Sequence, residues 1–196
     1  MLENLNKYKV ILASNSPRRK ELLSGLGIDY EVKTLPDIDE SFPAGLSEVE
    51  TATYIARAKA DVYRNIMQPD ELIITADTIV WLDGEVMGKP VDEEDARRML
   101  RALSGKTHQV ITGVCLTTID SQKAFATVTD VTFCHLSEEE IGYYVERYRP
   151  MDKAGAYGIQ EWIGYIGVER IDGSYFNVMG LPVQRLYREL KALLTI

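Results

Sequence analysis

The chain has little of what metal centres and disulfide frameworks are made from. Two cysteines, Cys115 and Cys134, and two histidines, His108 and His135, are spread over 196 residues. The cysteines form no Cys-x-x-Cys pair; they read as two reduced core thiols, which adjacent strands can bring side by side. The histidines lack the His-x-x-x-His spacing of a zinc site and read as loop or strand residues. No run of about 18 apolar residues occurs, which excludes a membrane-spanning helix. Residues 1–7 show no basic stretch followed by an apolar one, so no secretory signal is read and the cytoplasm is the expected location. Basic excess is missing too: 22 Lys and Arg stand against 30 Asp and Glu, a net charge of -8. Proteins that grip nucleic acid by its phosphates carry a net basic stripe. The charge therefore argues against nucleic acid as a partner, but not against a small anion in a local basic cleft.

What is present is ordinary for a globular chain, with 45% hydrophobic and 27% charged residues. The length suits one core, or two lobes sharing one sheet. Lys9–Ala13 reads as a buried strand. Ser16 caps a helix with Pro17 at its first position, Leu22, Leu23 and Leu26 on one face, and Gly27 at its end. Tyr30–Val32 reads as a second strand, followed by an acidic loop through Asp39 and Glu40. Ser47 to Met67 is a long helical stretch with Val49, Ala52, Ala56 and Ala60 near one face. Leu72–Ala76 suits a strand covered on both sides, and Asp83-Gly84 marks a hairpin between Val80–Leu82 and Glu85–Met87. Asp92 caps a helix to Leu103. Two β runs, Gln109–Thr118 and Ala124–Phe133, precede a helix starting after Ser137 and a Gly- and Tyr-rich stretch from Ala154 to Gly180. Pro182 opens a last helix to Leu194. Hairpins mixed with helices, without strict alternation, predict an α/β fold with a mixed sheet. The β-rich middle, residues 105–135, is a candidate second lobe, and no compositional boundary separates independent domains.

Four groups of residues carry possible chemistry. The first turn of the helix after Ser14-Asn15-Ser16 places Arg18, Arg19 and Lys20 where the unsatisfied amides already make positive potential. That arrangement is unfavourable unless an anion, most often a phosphate chain, sits there; a solvated basic helix start is the competing reading. Asp77 interrupts a mostly apolar run near an expected strand end, where sites of open α/β sheets lie; a turn or cap Asp competes. Lys59 on the alanine-rich helix and Lys89 before Pro90 are a third group, either of which also suits plain surface. In Asp152-Lys153-Ala154-Gly155-Ala156-Tyr157-Gly158-Ile159-Gln160, small residues allow close backbone approach. Gln160 offers both donor and acceptor, and a Gly-rich turn competes.

In order and spacing, these segments resemble the Maf family of nucleotide pyrophosphatases over residues 9–190. They are Leu12-Ala13-Ser14-x-Ser16-Pro17-Arg18-Arg19, Asp39-Glu40, Ala58-Lys59-Ala60, Ala76-Asp77-Thr78, Gly88-Lys89-Pro90, Ser104-Gly105-x-Thr107-His108 and the 152–160 stretch. Asn15 and Thr75 depart slightly from the pattern. The 154–160 version resembles the subgroup acting on dTTP and UTP rather than that associated with 7-methyl-GTP.

The resemblance implies one domain over residues 1–196, two lobes around a central cleft with an elongated twisted mixed sheet, similar to inosine triphosphate pyrophosphatases. It implies hydrolysis between the α- and β-phosphates, giving a nucleoside monophosphate and pyrophosphate. Asp77 matches the family's proton acceptor. Arg18, Thr78 and Gln160 match positions tied to substrate choice. Ser14, Ser16, Arg19, Lys59 and Lys89 would line the phosphate path, and Glu40 with Asp77 would hold Mg2+ or Mn2+. A homodimer is a family-level expectation. The alternative in another class is a non-catalytic, nucleotide-binding regulator of cell division. Walker-type and kinase Gly-rich loops are absent from the sequence, which disfavours β–γ cleavage.

Overall fold

The computed structural model describes residues 2–193. Its strands are β1 (Lys9–Leu12), β2 (Glu31–Val32), β3 (Glu71–Leu82), β4 (Glu85–Met87), β5 (Thr107–Thr117), β6 (Gln122–Phe133) and β7 (Val168–Asp172). Its helices are α1 (Pro17–Ser24), α2 (Glu48–Arg64), α3 (Glu93–Leu103), α4 (Glu138–Tyr148), α5 (Trp162–Gly167), α6 (Tyr175–Met179) and α7 (Val183–Ala192). The seven strands form one sheet in the order β2-β1-β3-β5-β6-β7, with β4 paired to β3. β1 runs parallel to β2 and β3, whereas β3–β4 and β6–β7 are antiparallel. The fold is mixed α/β, as the sequence predicts.

The chain divides into two compact units. One comprises residues 1–77, 112–127 and 180–196; the other comprises 78–111 and 128–179. The stretch 105–135 is therefore shared between the units and does not make up one of them.

In the first unit, helix α2 lies very close to the sheet. Ala52, Ala56 and Ala60 are fully buried, while Val49, expected on the same face, is exposed. A Cβ added at Gly113 of β5 would stand 2.1 Å from the Ala52 carbonyl oxygen, so only glycine permits this approach. The Thr75 hydroxyl of β3 donates to the Ala56 carbonyl at 2.7 Å, tying the strand to the same helix. Tyr63, at the far end of α2, packs with Ile11, Met67 and Ile73. Its hydroxyl donates to the Lys33 carbonyl at 3.1 Å and accepts from the Leu35 N–H at 2.9 Å, anchoring the start of the loop that leads to Glu40.

Several boundaries differ from expectation. β3 is one twelve-residue strand, so Asp77 lies inside it and not at its end. Helix α1 stops at Ser24 with Gly25 as its cap; Gly27, with φ of +66°, follows in a tight turn. The 154–180 stretch is not irregular throughout, since it holds α5, β7 and α6. Helix α7 ends at Ala192, and Leu194, its expected end, lies outside the described residues. Both cysteines are free thiols: Cys115 is buried and Cys134 half-buried. Burial pushes the Cys115 thiol up to about 11.

Candidate active site

Seven of the ten predicted site residues lie in the first unit: Ser14, Ser16, Arg18, Arg19, Glu40, Lys59 and Asp77. The Ser16 side chain caps α1 by accepting from the Arg19 N–H at 3.4 Å, with Pro17 at the first helical position. Ser14 is buried, and its hydroxyl accepts from the Ser16 N–H at 3.2 Å and from Arg19 Nη1 at 3.4 Å. Arg19 Nε also donates to the Gly180 carbonyl at 2.9 Å. Two neutral oxygens thus accept from the guanidinium. Desolvation makes its charge less comfortable and pushes its pKa down, with Arg18 adding to this and Asp77 and Glu40 opposing it. Arg18 is half-buried in the same first turn. No acidic side chain occupies that turn. Asn15, a departure from the family pattern, donates from Nδ2 to the Thr34 hydroxyl at 3.2 Å.

The acidic residues converge on one cation. Lys59 Nζ lies 2.7 Å from Asp77 Oδ1 and 2.8 Å from Glu40 Oε1. The Lys59 and Asp77 side chains are 12% and 14% exposed and Glu40 is 50% exposed, so the pair of charges is substantially desolvated with one open side. This spacing follows from the tight seat of α2: Thr75, two residues before Asp77, is bonded to Ala56, three residues before Lys59. Asp39 is turned elsewhere. Its carboxylate accepts from the Ser41 N–H and hydroxyl, which hold its pKa below the usual range.

Among the described residues no cluster of three or more His, Cys, Asp or Glu converges. The protein therefore offers a metal two carboxylates, Glu40 and Asp77, which already share one point of positive charge. That donor set suits a hard divalent cation, which is commonly held by one or two carboxylates with substrate phosphates and water completing its shell.

The second unit holds Thr78, Lys89 and Gln160. Thr78 is half-buried in β3, and Lys89 is exposed in the loop after β4. The neighbouring Gly88 carbonyl accepts from the Gly155 N–H at 3.0 Å, joining that loop to the 154–160 stretch. Gly155 and Ala156 both adopt positive φ, +67° and +59°. Gly155 could not gain a Cβ without meeting Val80 at 2.9 Å. Gln160 is half-buried, and its Oε1 is buried with no hydrogen-bond partner.

Three further groups, to which the sequence assigns no role, lie in the second unit. Lys153 is buried with Nζ 2.7 Å from Asp152 and 3.2 Å from Glu161. Tyr144 on α4 donates to Glu161, and burial, with that carboxylate second, pushes its pKa up. His108 Nε2 and the Tyr157 hydroxyl lie 2.7 Å apart in a buried cluster with Phe133. The one available signal was a lysine among small and apolar residues.

Burial lowers His108 from 6.5 to about 4. The unfolded chain thus takes up a proton that the folded chain refuses, and stability falls as pH drops from about 6.5 to about 4. The loss reaches at most about 3 kcal/mol. Urea unfolding of wild type and His108→Gln across that window should show a flatter pH slope in the variant; equal slopes would contradict the assignment.

The sequence model of the Maf-like protein family matches residues 9–193. The dTTP/UTP pyrophosphatase of Phocaeicola vulgatus is 74% identical over 98% of this chain and 100% of its own. That of Bacteroides thetaiotaomicron is 69% identical, with the same coverage. Among solved structures, a HAM1 protein from Coxiella burnetii superposes with a TM-score of 0.48 at 18% identity, covering 94% of this chain and 99% of that one.

Proposed function

The chain belongs to the Maf-like protein family, and from that membership we propose that it is a nucleoside triphosphate pyrophosphatase acting on dTTP and UTP. It cleaves the α–β phosphoanhydride bond and gives the nucleoside monophosphate and pyrophosphate. The observation that carries the reading is Asp77, a carboxylate inside a buried strand, paired with Lys59, which also binds Glu40, in the unit that holds the basic start of α1.

The chemistry assigns each group a part. Phosphate oxygens repel an attacking water, and Arg18, Arg19, Lys59 and Lys89 offset that charge and that of the departing pyrophosphate. Ser14 and Ser16 add hydroxyl and backbone donors at the helix start. Asp77 orients or deprotonates the water aimed at the α-phosphorus. Glu40 and Asp77 would hold Mg2+ or Mn2+, which when bound neutralises phosphate charge. Arg18, Thr78 and Gln160 set the choice of nucleotide. The proposal extends to a cytoplasmic homodimer working on free nucleotides; among the described residues no helix is long and apolar enough to cross a membrane.

A panel of canonical and modified triphosphates with Mn2+, read by pyrophosphate release, tests this. Highest turnover is expected with dTTP and UTP. A large preference for 7-methyl-GTP would overturn the substrate assignment. Nucleotide binding without any release would favour the regulator of cell division instead.

A further inference from the structure

Gln160 is held in place by side chains to which the proposed reaction gives no part. Gly158 to Glu161 form a β-turn closed by a bond from the Glu161 N–H to the Gly158 carbonyl, 2.9 Å. Both ends of that turn meet on one atom. The Gly158 N–H donates to the Tyr144 hydroxyl at 3.0 Å, and the same hydroxyl donates to Glu161 Oε2. Tyr144 is fully buried in α4, so the meeting point is rigid. The other Glu161 oxygen faces Lys153 Nζ at 3.2 Å. The fit around position 158 is close: a Cβ there would stand 3.0 Å from Lys153 Cε and 3.1 Å from the Glu161 carboxyl carbon.

A turn pinned at its first and fourth residues has a fixed direction at its third, and the third is Gln160. Its Oε1 is buried and unmatched. A buried acceptor in that condition is costly until a donor arrives.

We propose that Tyr144 and Glu161 are positioning residues for base choice. They hold the Gln160 amide so that Oε1 accepts from the ring N–H of a uracil or thymine base. The inference rests on the dTTP and UTP reading above. Cytosine carries no proton at the corresponding ring nitrogen, so it would set acceptor against acceptor and be rejected. Without the Tyr144–Glu161 clamp the amide can turn, and that rejection weakens.

The test is kcat/KM for UTP and CTP in wild type, Tyr144→Phe, Glu161→Ala, Glu161→Gln, Gln160→Ala and the Tyr144→Phe/Gln160→Ala double variant, each checked by thermal melting. The UTP-to-CTP ratio should fall about tenfold or more in Tyr144→Phe, Glu161→Ala and Gln160→Ala. Glu161→Gln, which still accepts from Tyr144, should keep most of the wild-type ratio. The double variant should fall no further than Gln160→Ala, because one pathway is removed twice. If Tyr144→Phe does not fold, the two Glu161 variants decide the matter, since that residue is partly exposed. An unchanged ratio in Glu161→Ala overturns the positioning role. So does an unchanged ratio in Gln160→Ala, or a wild type that takes CTP as readily as UTP. A wild type that releases no pyrophosphate from UTP overturns the earlier reading, and this inference with it.

Discussion

Asp77→Asn is expected to fold like the wild type and to lose nearly all pyrophosphate release, a fall of about a thousandfold in kcat. Asparagine retains an oxygen that can accept from Lys59, and Lys59 keeps Glu40, 2.8 Å away, as its counter-ion. Lys59 therefore keeps a counter-ion, and the loss of stability should be about 1–3 kcal/mol, too small to unfold the protein. What disappears is the negative charge and the capacity to take a proton from water. Melting curves separate the two effects from the rate measurement. Turnover near the wild-type rate in a well-folded Asp77→Asn enzyme would remove Asp77 from the mechanism.

The largest effect on stability is expected at Gly113. An alanine Cβ there would meet the Ala52 oxygen at 2.1 Å, its carbonyl carbon at 2.4 Å and the Thr53 nitrogen at 2.8 Å. All three are backbone atoms, so no side chain can swing aside; the helix has to lift. Overpacking of this kind costs about 3 kcal/mol, which for a chain of this size lowers Tm by roughly 6–12 °C. Because α2 carries Lys59, lifting it also lengthens the contact to Asp77, and activity should fall further than the melting temperature alone explains. Gly142→Ala is the contrast. Gly142 lies in α4 with nothing within 4 Å of an added Cβ, so alanine should stabilise by up to about 1 kcal/mol through helix propensity. Equal melting temperatures for Gly113→Ala and wild type would refute the close-approach argument.

How far the sequence was readable depended on the range of the interactions. Helix starts were legible because their signals are local: Ser16, Ser47, Asp92 and Ser137 each cap the helix that follows them. The Asp83-Gly84 hairpin was legible for the same reason, and Val80 does pair with Met87. The unbroken length of β3 was not. A carboxylate at position 77 reads as an interruption until Lys59, 18 residues away on another element, compensates it. Thr75 looked merely unusual, since its partner is a helix carbonyl that no local pattern reveals. The order in residues 154–180 was hidden because Gly155 closes against Val80 and the Tyr157 hydroxyl meets His108, long-range contacts that short-range propensity does not encode. Of the site itself, the charged groups around Asp77 were legible through family resemblance, whereas the Tyr144–Glu161–Lys153 cluster depends on three side chains meeting in space.

The division into units also bears on how the gene can be cut. The chain passes from one unit to the other at 77/78, 111/112, 127/128 and 179/180, and the first three crossings fall inside β3, β5 and β6. No single break separates the units, and most breaks at a crossing would split a strand between two fragments. A protease nick or a truncated transcript therefore cannot release either half as a self-sufficient piece.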